Sequence, residues 1–208
     1  CSSDLKIHAF LDKLYGHQNI EDLAIPFAAT TVDILNGDLF VLNEGNLANA
    51  ARASSSIPII FNPLSIGDQV LVDGGMIDPV PIDVVRSMGA DYIIAVNVLA
   101  FSDDNMDKPT FQYMDANELK NSRSTWRFPK ADEAWYQAGK PNMVEIAHET
   151  VILSMALIAA NQVELANPDM IINVSTGLAA WNFLEAEIAI QKGYRETILQ
   201  LELAKQKH

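Results

Sequence analysis

The chain has 208 residues, of which 49% are hydrophobic and 20% are charged. This composition is ordinary for a soluble globular protein with a substantial core, so it excludes extensive disorder. Fourteen Lys and Arg residues against 27 Asp and Glu residues give a formal net charge of −13. Because such a field repels phosphate groups at long range, we expect no nucleic-acid partner.

The N-terminus and the apolar segments bear on the compartment of the protein. Cys1 is the one cysteine, so no disulfide can form within the chain. Cys1 could also be the lipidated first residue of a mature lipoprotein, but Leu5 onward predicts a helix without a tether, and no signal peptide is visible. The most apolar helical run, Thr150–Ala160, is shorter than the ~20 residues that a membrane span needs. We therefore expect a core helix there and a cytoplasmic protein.

The first part of the chain carries periodic apolar residues and turn signals. Apolar residues at helical spacing end at a glycine, an Asn-Gly-Asp turn separates two β-rich runs, and an asparagine precedes an alanine-rich segment. In chain order, these signals predict a helix over 5–14, a β-hairpin between a strand within 23–34 and a strand over 39–42, and a helix over 47–53 capped by Asn46.

A strand followed by two glycines is the sharpest local signal. The predicted strands 64–66 and 69–72 form a second hairpin, which leads directly into Asp73-Gly74-Gly75. An acidic residue at the C-terminal end of a strand in an α/β sheet lies where such folds bind ligands, and glycines allow a sharp turn and close approach. On spacing alone, Asp73 is either catalytic or the cap of the turn.

The rest of the chain continues the alternation of helices and strands. We expect a helix over 82–88, a strand over 92–99 buried on both faces, a helix over 142–167, a strand over 170–174 and a closing helix over 183–205. This alternation predicts the α/β class with a doubly wound, mostly parallel sheet.

The polar segment 102–141 lacks clear periodicity and is predicted to be an insertion in a single domain. It contains four aromatic residues, Trp126, Phe128, Trp135 and Tyr136. We expect these residues either to pack back on the domain surface or to cover an acyl chain and make transient contact with a membrane.

The stretch 20–99 resembles the patatin-like phospholipase family, especially its small bacterial members. Three pieces carry the resemblance in order: IEDLAIPFAATTVDILNGD, GNLANAARASSSIPIIF and VLVDGGMIDPVPIDVVRSMGADYIIAVNV. The resemblance implies a three-layer sandwich like that of α/β hydrolases, and hydrolysis of lipid carboxylic esters by a Ser-Asp dyad without a metal or organic cofactor. Asp73 would accept the serine proton, and Gly74 and Gly75 would complete the family's Asp-Gly-Gly motif.

The sequence departs from the family pattern in one respect. The family places its nucleophile in Gly-x-Ser-x-Gly and its oxyanion hole in a glycine-rich loop, and none of the ten glycines here flanks a serine in that way. We therefore expect residues 1–208 to be the C-terminal portion of one domain whose N-terminal part, with the serine, is missing, and to be inactive alone. A sheet without its first strands would expose an edge and an apolar face, so we expect self-association or poor stability.

Other candidate side chains are assigned structural roles. Ser54, Ser55 and Ser56 precede a proline at a predicted helix end, and the resemblance makes them structural rather than nucleophilic. The four histidines lie on different predicted elements, so we expect neither a catalytic triad nor a metal cluster. The alternative function is a non-catalytic domain that retains the fold for lipid binding or for interaction with a partner.

Overall fold

The computed structural model describes residues 2–99, 143–174 and 186–205, so the predicted insertion lies outside the described residues. The helices are α1 Ser2–Tyr15, α2 Leu47–Ser54, α3 Ile82–Ser87, α4 Met143–Ala166 and α5 Ala186–Lys205. The strands are β1 Ala29–Asp33, β2 Leu39–Leu42, β3 Leu64–Ile66, β4 Gln69–Asp73, β5 Ile94–Asn97 and β6 Met170–Asn173. This mixture of helices and strands confirms the predicted α/β class.

The described strands form two sheets. The larger sheet has the order β2-β1-β4-β3 with antiparallel pairing throughout, and β5 pairs with β6 in parallel. The sequence predicts a mostly parallel sheet, whereas parallel pairing among the described strands is confined to β5 and β6. The reason lies in the connections: β1–β2 and β3–β4 are joined by turns too short for a parallel crossover. Both predicted hairpins are confirmed.

Turn and cap residues set the ends of the first elements. Gly16 follows α1 with φ of +65°, and Gly37 lies between β1 and β2 with φ of +80°. Glycine adopts this left-handed region without steric cost. Asn46 caps α2, because its side-chain oxygen accepts the backbone N–H of Asn49 at 2.9 Å. These ends agree with the turn and cap signals in the sequence.

Two buried apolar clusters hold the elements together. One connects α3, β5 and α4 and consists of Val80, Ile82, Ile93, Ala95 and Ala159. The other connects β1 with α2 and consists of Ile20, Ala29, Leu47 and Ala50. Helix α2 also contacts β4, and α4 contacts the turn that follows β4. The end of β4 is therefore supported by two helices from different parts of the chain.

Strand β5 is more exposed than the sequence predicts. Ala95 and Asn97 are buried, but Ile94 and Val96 are 51% and 52% exposed. One face of β5 is thus covered where the sequence predicts two, because an apolar run does not itself specify what packs on each face. The self-association expected from exposed apolar surface stays a prediction, which sedimentation of the chain would check.

The apolar segment of α4 is longer than the run 150–160 identified from the sequence. By length and composition alone, the 21 residues of Ile146–Ala166 could cross a membrane. The same helix packs into the protein, where Met155, Ala156 and Ala159 are buried. Since core helices of soluble proteins can have the same length and composition, α4 is not assigned a membrane-spanning role.

Candidate functional site

Asp73 is the last residue of β4, where the strand passes into the 3₁₀ turn Gly74–Met76. Its backbone N–H donates to the Ser56 carbonyl at 3.1 Å, and its partner across the sheet is Thr31 of β1. Thr31 is fully buried, and its hydroxyl donates to the Val72 carbonyl at 2.5 Å. The backbone at Asp73 is therefore fixed by two neighbouring segments, as a precise site on a rigid element requires.

The carboxyl group of Asp73 is half-buried and is bound by the turn that follows it. Its Oδ1 accepts the backbone N–H of Gly75 at 2.7 Å, which makes Asp73 the N-cap of the 3₁₀ turn. The capping role, which the sequence alone presents as the alternative to catalysis, is thus present. Because a carboxylate has two acceptor oxygens, capping through Oδ1 is compatible with a second role.

Burial raises the pKa of the Asp73 carboxyl above its ordinary value. The hydrogen bond from the Gly75 N–H favours the charged form and offsets part of that increase. A carboxylate with a raised pKa is a stronger base than an exposed one, and perturbed carboxyl groups are concentrated at functional sites. The electrostatics of Asp73 therefore suit proton transfer.

Close packing explains both glycines after Asp73. A β-carbon added at Gly74 would lie 2.6 Å from the backbone carbonyl carbon of Thr30. One added at Gly75 would lie 2.7 Å from Cε of Met155 in α4. Strand β1 can therefore approach the turn this closely only because position 74 lacks a side chain, whereas the neighbour at position 75 is the end of a flexible side chain.

Of the three serines at the end of α2, Ser56 does not have an accessible hydroxyl. This residue is fully buried, and its Oγ accepts a hydrogen bond from Arg52 Nη1 at 2.6 Å and donates to the Arg52 carbonyl at 2.9 Å. Ser54 ends α2, and Ser55 is its C-cap. Ser56 thus has the structural role that the sequence analysis assigns to it. Its partner Arg52 is a residue that sequence reasoning missed.

The remaining polar groups do not form a metal site within the part of the chain that the structure describes. No three His, Cys, Asp or Glu side chains there come together in a way that could hold a metal ion. His8 is hydrogen-bonded to Asn49 at 2.7 Å, and His17 to Asp12 at 2.8 Å. His148 is buried on α4.

A cleft of about 440 Å³ lies between α3 and the C-terminal end of α4. Its polar lining pairs internally, since Gln162 donates to Asp78 at 2.8 Å and Arg86 binds Asp83 at 2.5 Å. Arg86 also donates to the carbonyl of Ala166 at 2.7 Å. The Gln162–Asp78 and Arg86–Ala166 hydrogen bonds join the segment after the 3₁₀ turn to α4.

Comparison with known proteins points to the segment that contains Asp73. The family described as patatin-like phospholipase matches residues 4–86. An uncharacterised NTE family protein of Mycobacterium tuberculosis is 36% identical over 85 residues, which are 41% of this chain and 24% of that protein. Patatin-like phospholipase domain-containing protein 7 of Mus musculus is 38% identical over 90 residues, or 42% of this chain and 7% of that protein. Lysophospholipase NTE1 of Debaryomyces hansenii is 33% identical over 91 residues, or 44% of this chain and 6% of that protein.

The match thus spans about a quarter of the length of the mycobacterial relative and less of the other two. It contains most of α1 and all of α2, the antiparallel sheet and the Asp-Gly-Gly turn, and it overlaps the stretch 20–99 that carries the sequence resemblance over residues 20–86. Residues 4–86 of this chain are therefore similar to the patatin-like phospholipase family.

Proposed function

We propose that this chain carries the catalytic base of a serine acyl hydrolase that cleaves carboxylic esters of lipids. The match of residues 4–86 to the family supports lipid ester hydrolysis in general, since relatives named as a phospholipase-domain protein and a lysophospholipase share this segment. The observation that carries the proposal is the half-buried Asp73 carboxyl, whose pKa is raised, at the rigid end of β4. Asp73 is the proton acceptor, and Gly74 and Gly75 shape the turn that holds it.

In the proposed reaction, Asp73 accepts the hydroxyl proton of a serine as the serine oxygen attacks the ester carbonyl carbon. The ester C–O bond then breaks, and the proton passes from Asp73 to the oxygen of the departing alcohol. In the second half, Asp73 accepts a proton from water as the water oxygen attacks the acyl-serine. The proton returns to the serine oxygen as the fatty acid leaves, so the enzyme is regenerated.

The serine of this reaction is proposed to come from polypeptide other than residues 1–208. The sequence contains no Gly-x-Ser-x-Gly, and the Ser56 hydroxyl is buried against Arg52. Because an ordinary aspartate is a weak base for a hydroxyl, the serine must lie within a short hydrogen bond of Asp73. Its developing negative charge must also be stabilised by nearby donors. These 208 residues alone are therefore expected to be inactive.

The experiment uses the full-length protein that contains this chain. A serine-reactive fluorophosphonate should label it, and it should release fatty acid from a lysophospholipid or phospholipid. Asp73→Asn should abolish most labelling and lower hydrolysis by about 10²–10⁴-fold, the usual contribution of general base catalysis. Thermal denaturation would show that the variant is folded.

Asp78→Asn is the matched control, because burial also raises the pKa of the Asp78 carboxyl. It should label and hydrolyse at nearly the wild-type rate. Normal labelling of Asp73→Asn would refute the role of Asp73. A wild-type protein that binds lipid vesicles but neither labels nor hydrolyses would favour the rival function, a non-catalytic lipid-binding domain.

A further inference from the structure

Arg52 clamps both ends of the loop that connects α2 to β3. It lies in the last turn of α2 and is 3% exposed. Nη1 donates to the Ser56 hydroxyl oxygen at 2.6 Å, and Nη2 donates to the backbone carbonyl of Asn62 at 2.9 Å. One planar guanidinium therefore fixes both ends of the loop, which the single ammonium of a lysine cannot reproduce with the same geometry.

The clamped loop contains a strained residue. Ile59 has φ of +75°, a region that β-branched side chains adopt only at a cost in free energy. The Phe61 N–H donates to the Ile57 carbonyl at 2.9 Å across this residue. Such a conformation persists only where the surroundings enforce it. The bonds from Arg52 to Ser56 and Asn62 lie on either side of Ile59 and enforce it.

Ser56 connects this clamp to Asp73. The Ser56 carbonyl accepts the backbone N–H of Asp73 at 3.1 Å, while the Ser56 hydroxyl is bonded to Arg52. Ser56 is fully buried, so its position is set by these bonds and by packing. Two hydrogen bonds, joined by the covalent frame of Ser56, thus connect the guanidinium of Arg52 to the backbone of Asp73.

We infer that Arg52 is a positioning residue for Asp73, acting through Ser56 and the strained loop. The inference rests on the proposed function of Asp73 as the base. Without the guanidinium fork, Ile59 relaxes toward negative φ, the Ser56 carbonyl moves, and the end of β4 follows it. Because misplacement of a reacting group by about 1 Å can cost about 10²-fold in rate, the turnover step suffers while substrate binding does not.

The test measures fluorophosphonate labelling rates and the hydrolysis of a soluble acyl ester by the full-length protein. Arg52→Lys keeps the charge and loses the fork, so labelling rate and kcat should each fall at least about tenfold. KM should stay within about twofold, because we expect no contact between the buried Arg52 side chain and the substrate. Adding Ile59→Gly should restore most of the lost rate, since glycine adopts φ of +75° without strain.

A core variant separates positioning from stability. Ile82→Val shortens a side chain in the buried cluster with Ile93 and Ala159, away from the Arg52 clamp. It should lower the thermal midpoint and leave kcat unchanged. An Arg52→Lys protein whose kcat matches that of the Ile82→Val protein, or that of the wild type, would overturn the inference.

Two further results keep the outcomes distinct. If Arg52→Lys does not fold, Ser56→Ala replaces it in the test. This variant removes the hydroxyl that binds Arg52 and keeps the backbone carbonyl that binds Asp73. An unchanged kcat in Ser56→Ala would overturn the inference. If Asp73→Asn is inactive while Arg52→Lys is normal, the positioning role fails and the proposed function stands. If Asp73→Asn retains activity, the proposed function itself fails.

Discussion

Gly74 packs so closely against Thr30 that a β-carbon added at Gly74 would lie 2.6 Å from the Thr30 carbonyl carbon. Thr30 belongs to β1, which is buried along its whole length, so its backbone cannot move away without disturbing the sheet. The same contact holds β1 against the turn that begins at Asp73. The first glycine of Asp-Gly-Gly therefore has a packing role that is independent of any chemistry at Asp73.

Gly74→Ala is expected to lower the free energy of unfolding by about 1–3 kcal/mol, the usual cost of overpacking a core. Gly193→Ala in α5 is the matched control, since nothing lies within 4 Å of its added β-carbon. That control should instead raise stability by about 0.5–1 kcal/mol, because alanine favours a helix over glycine. Urea denaturation measures both changes. A Gly74→Ala protein as stable as the wild type would show that β1 can yield.

Gly75→Ala should cost less stability than Gly74→Ala. Its added β-carbon would meet Cε of Met155, the end of a flexible side chain that can move, rather than the backbone of β1. In a double-mutant cycle with Met155→Ala, the two changes should therefore couple favourably, by about 0.5–3 kcal/mol. Strict additivity would show that Met155 does not cause the destabilisation by a side chain at position 75. The Asp73 Oδ1, which would lie 3.1 Å from the same β-carbon, would then be the cause.

The stability of the protein should depend on pH through Asp73. Since burial raises the pKa of this carboxyl in the folded protein, the folded state binds the proton more tightly than the unfolded chain. The resulting stability is fully present below the unfolded pKa of about 3.9 and is lost as pH rises through the raised folded pKa. Asp73→Asn removes this dependence and keeps an oxygen that can accept the Gly75 N–H.

The difference in unfolding free energy between Asp73→Asn and the wild type should therefore shift in favour of the variant as pH rises from 4 to 7. Urea denaturation at a series of pH values measures it. The Asp78 carboxyl, whose pKa is raised by burial as well, is present in both proteins, so its contribution cancels from the difference. A difference that does not change with pH would contradict a raised pKa at Asp73.

Local elements could be predicted from the sequence because their signals are local. The Asn46 cap, the turn at Gly37 and the glycine after α1 each act within a few residues. The pairing of β1 with β4, in which Thr31 faces Asp73, joins strands distant in sequence, and no local pattern encodes it. The alternation of strands and helices therefore predicts more parallel pairing than the described strands show.

The candidate site was only partly predictable for the same reason. The sequence indicates Asp73, Gly74 and Gly75 from their position after a strand, but it offers no sign that Arg52 is buried and bonded to Ser56. An arginine in an alanine-rich helix is ordinarily a solvated residue. The one available signal was its spacing of four residues from Ser56, which places two polar side chains near each other where a helix ends.

Gln162 of α4 ties the segment after the site to that helix. Its Nε2 donates to Asp78 Oδ1 at 2.8 Å and to the Ile77 carbonyl at 3.3 Å, and its Oε1 accepts the Val80 N–H at 3.4 Å. Gln162→Leu would leave the partly buried Asp78 carboxyl and Val80 N–H without this partner, so it should lower the free energy of unfolding by about 1–3 kcal/mol.

Gln162→Glu adds a pH dependence to the same test. The new carboxylate would face Asp78, whose pKa is already raised by burial and by the nearby charge of Asp83. Repulsion should destabilise this variant most at pH 7, and stability should recover as pH falls and one of the two carboxyl groups binds a proton. Gln191→Glu is the control, because Gln191 likewise donates to a carboxylate, that of Glu187 at 3.0 Å, but on the exposed surface of α5. Thermal denaturation at pH 5 and pH 7 compares the two variants. Equal pH dependence of their stabilities would show that Gln162 does not join α4 to the segment that follows the 3₁₀ turn.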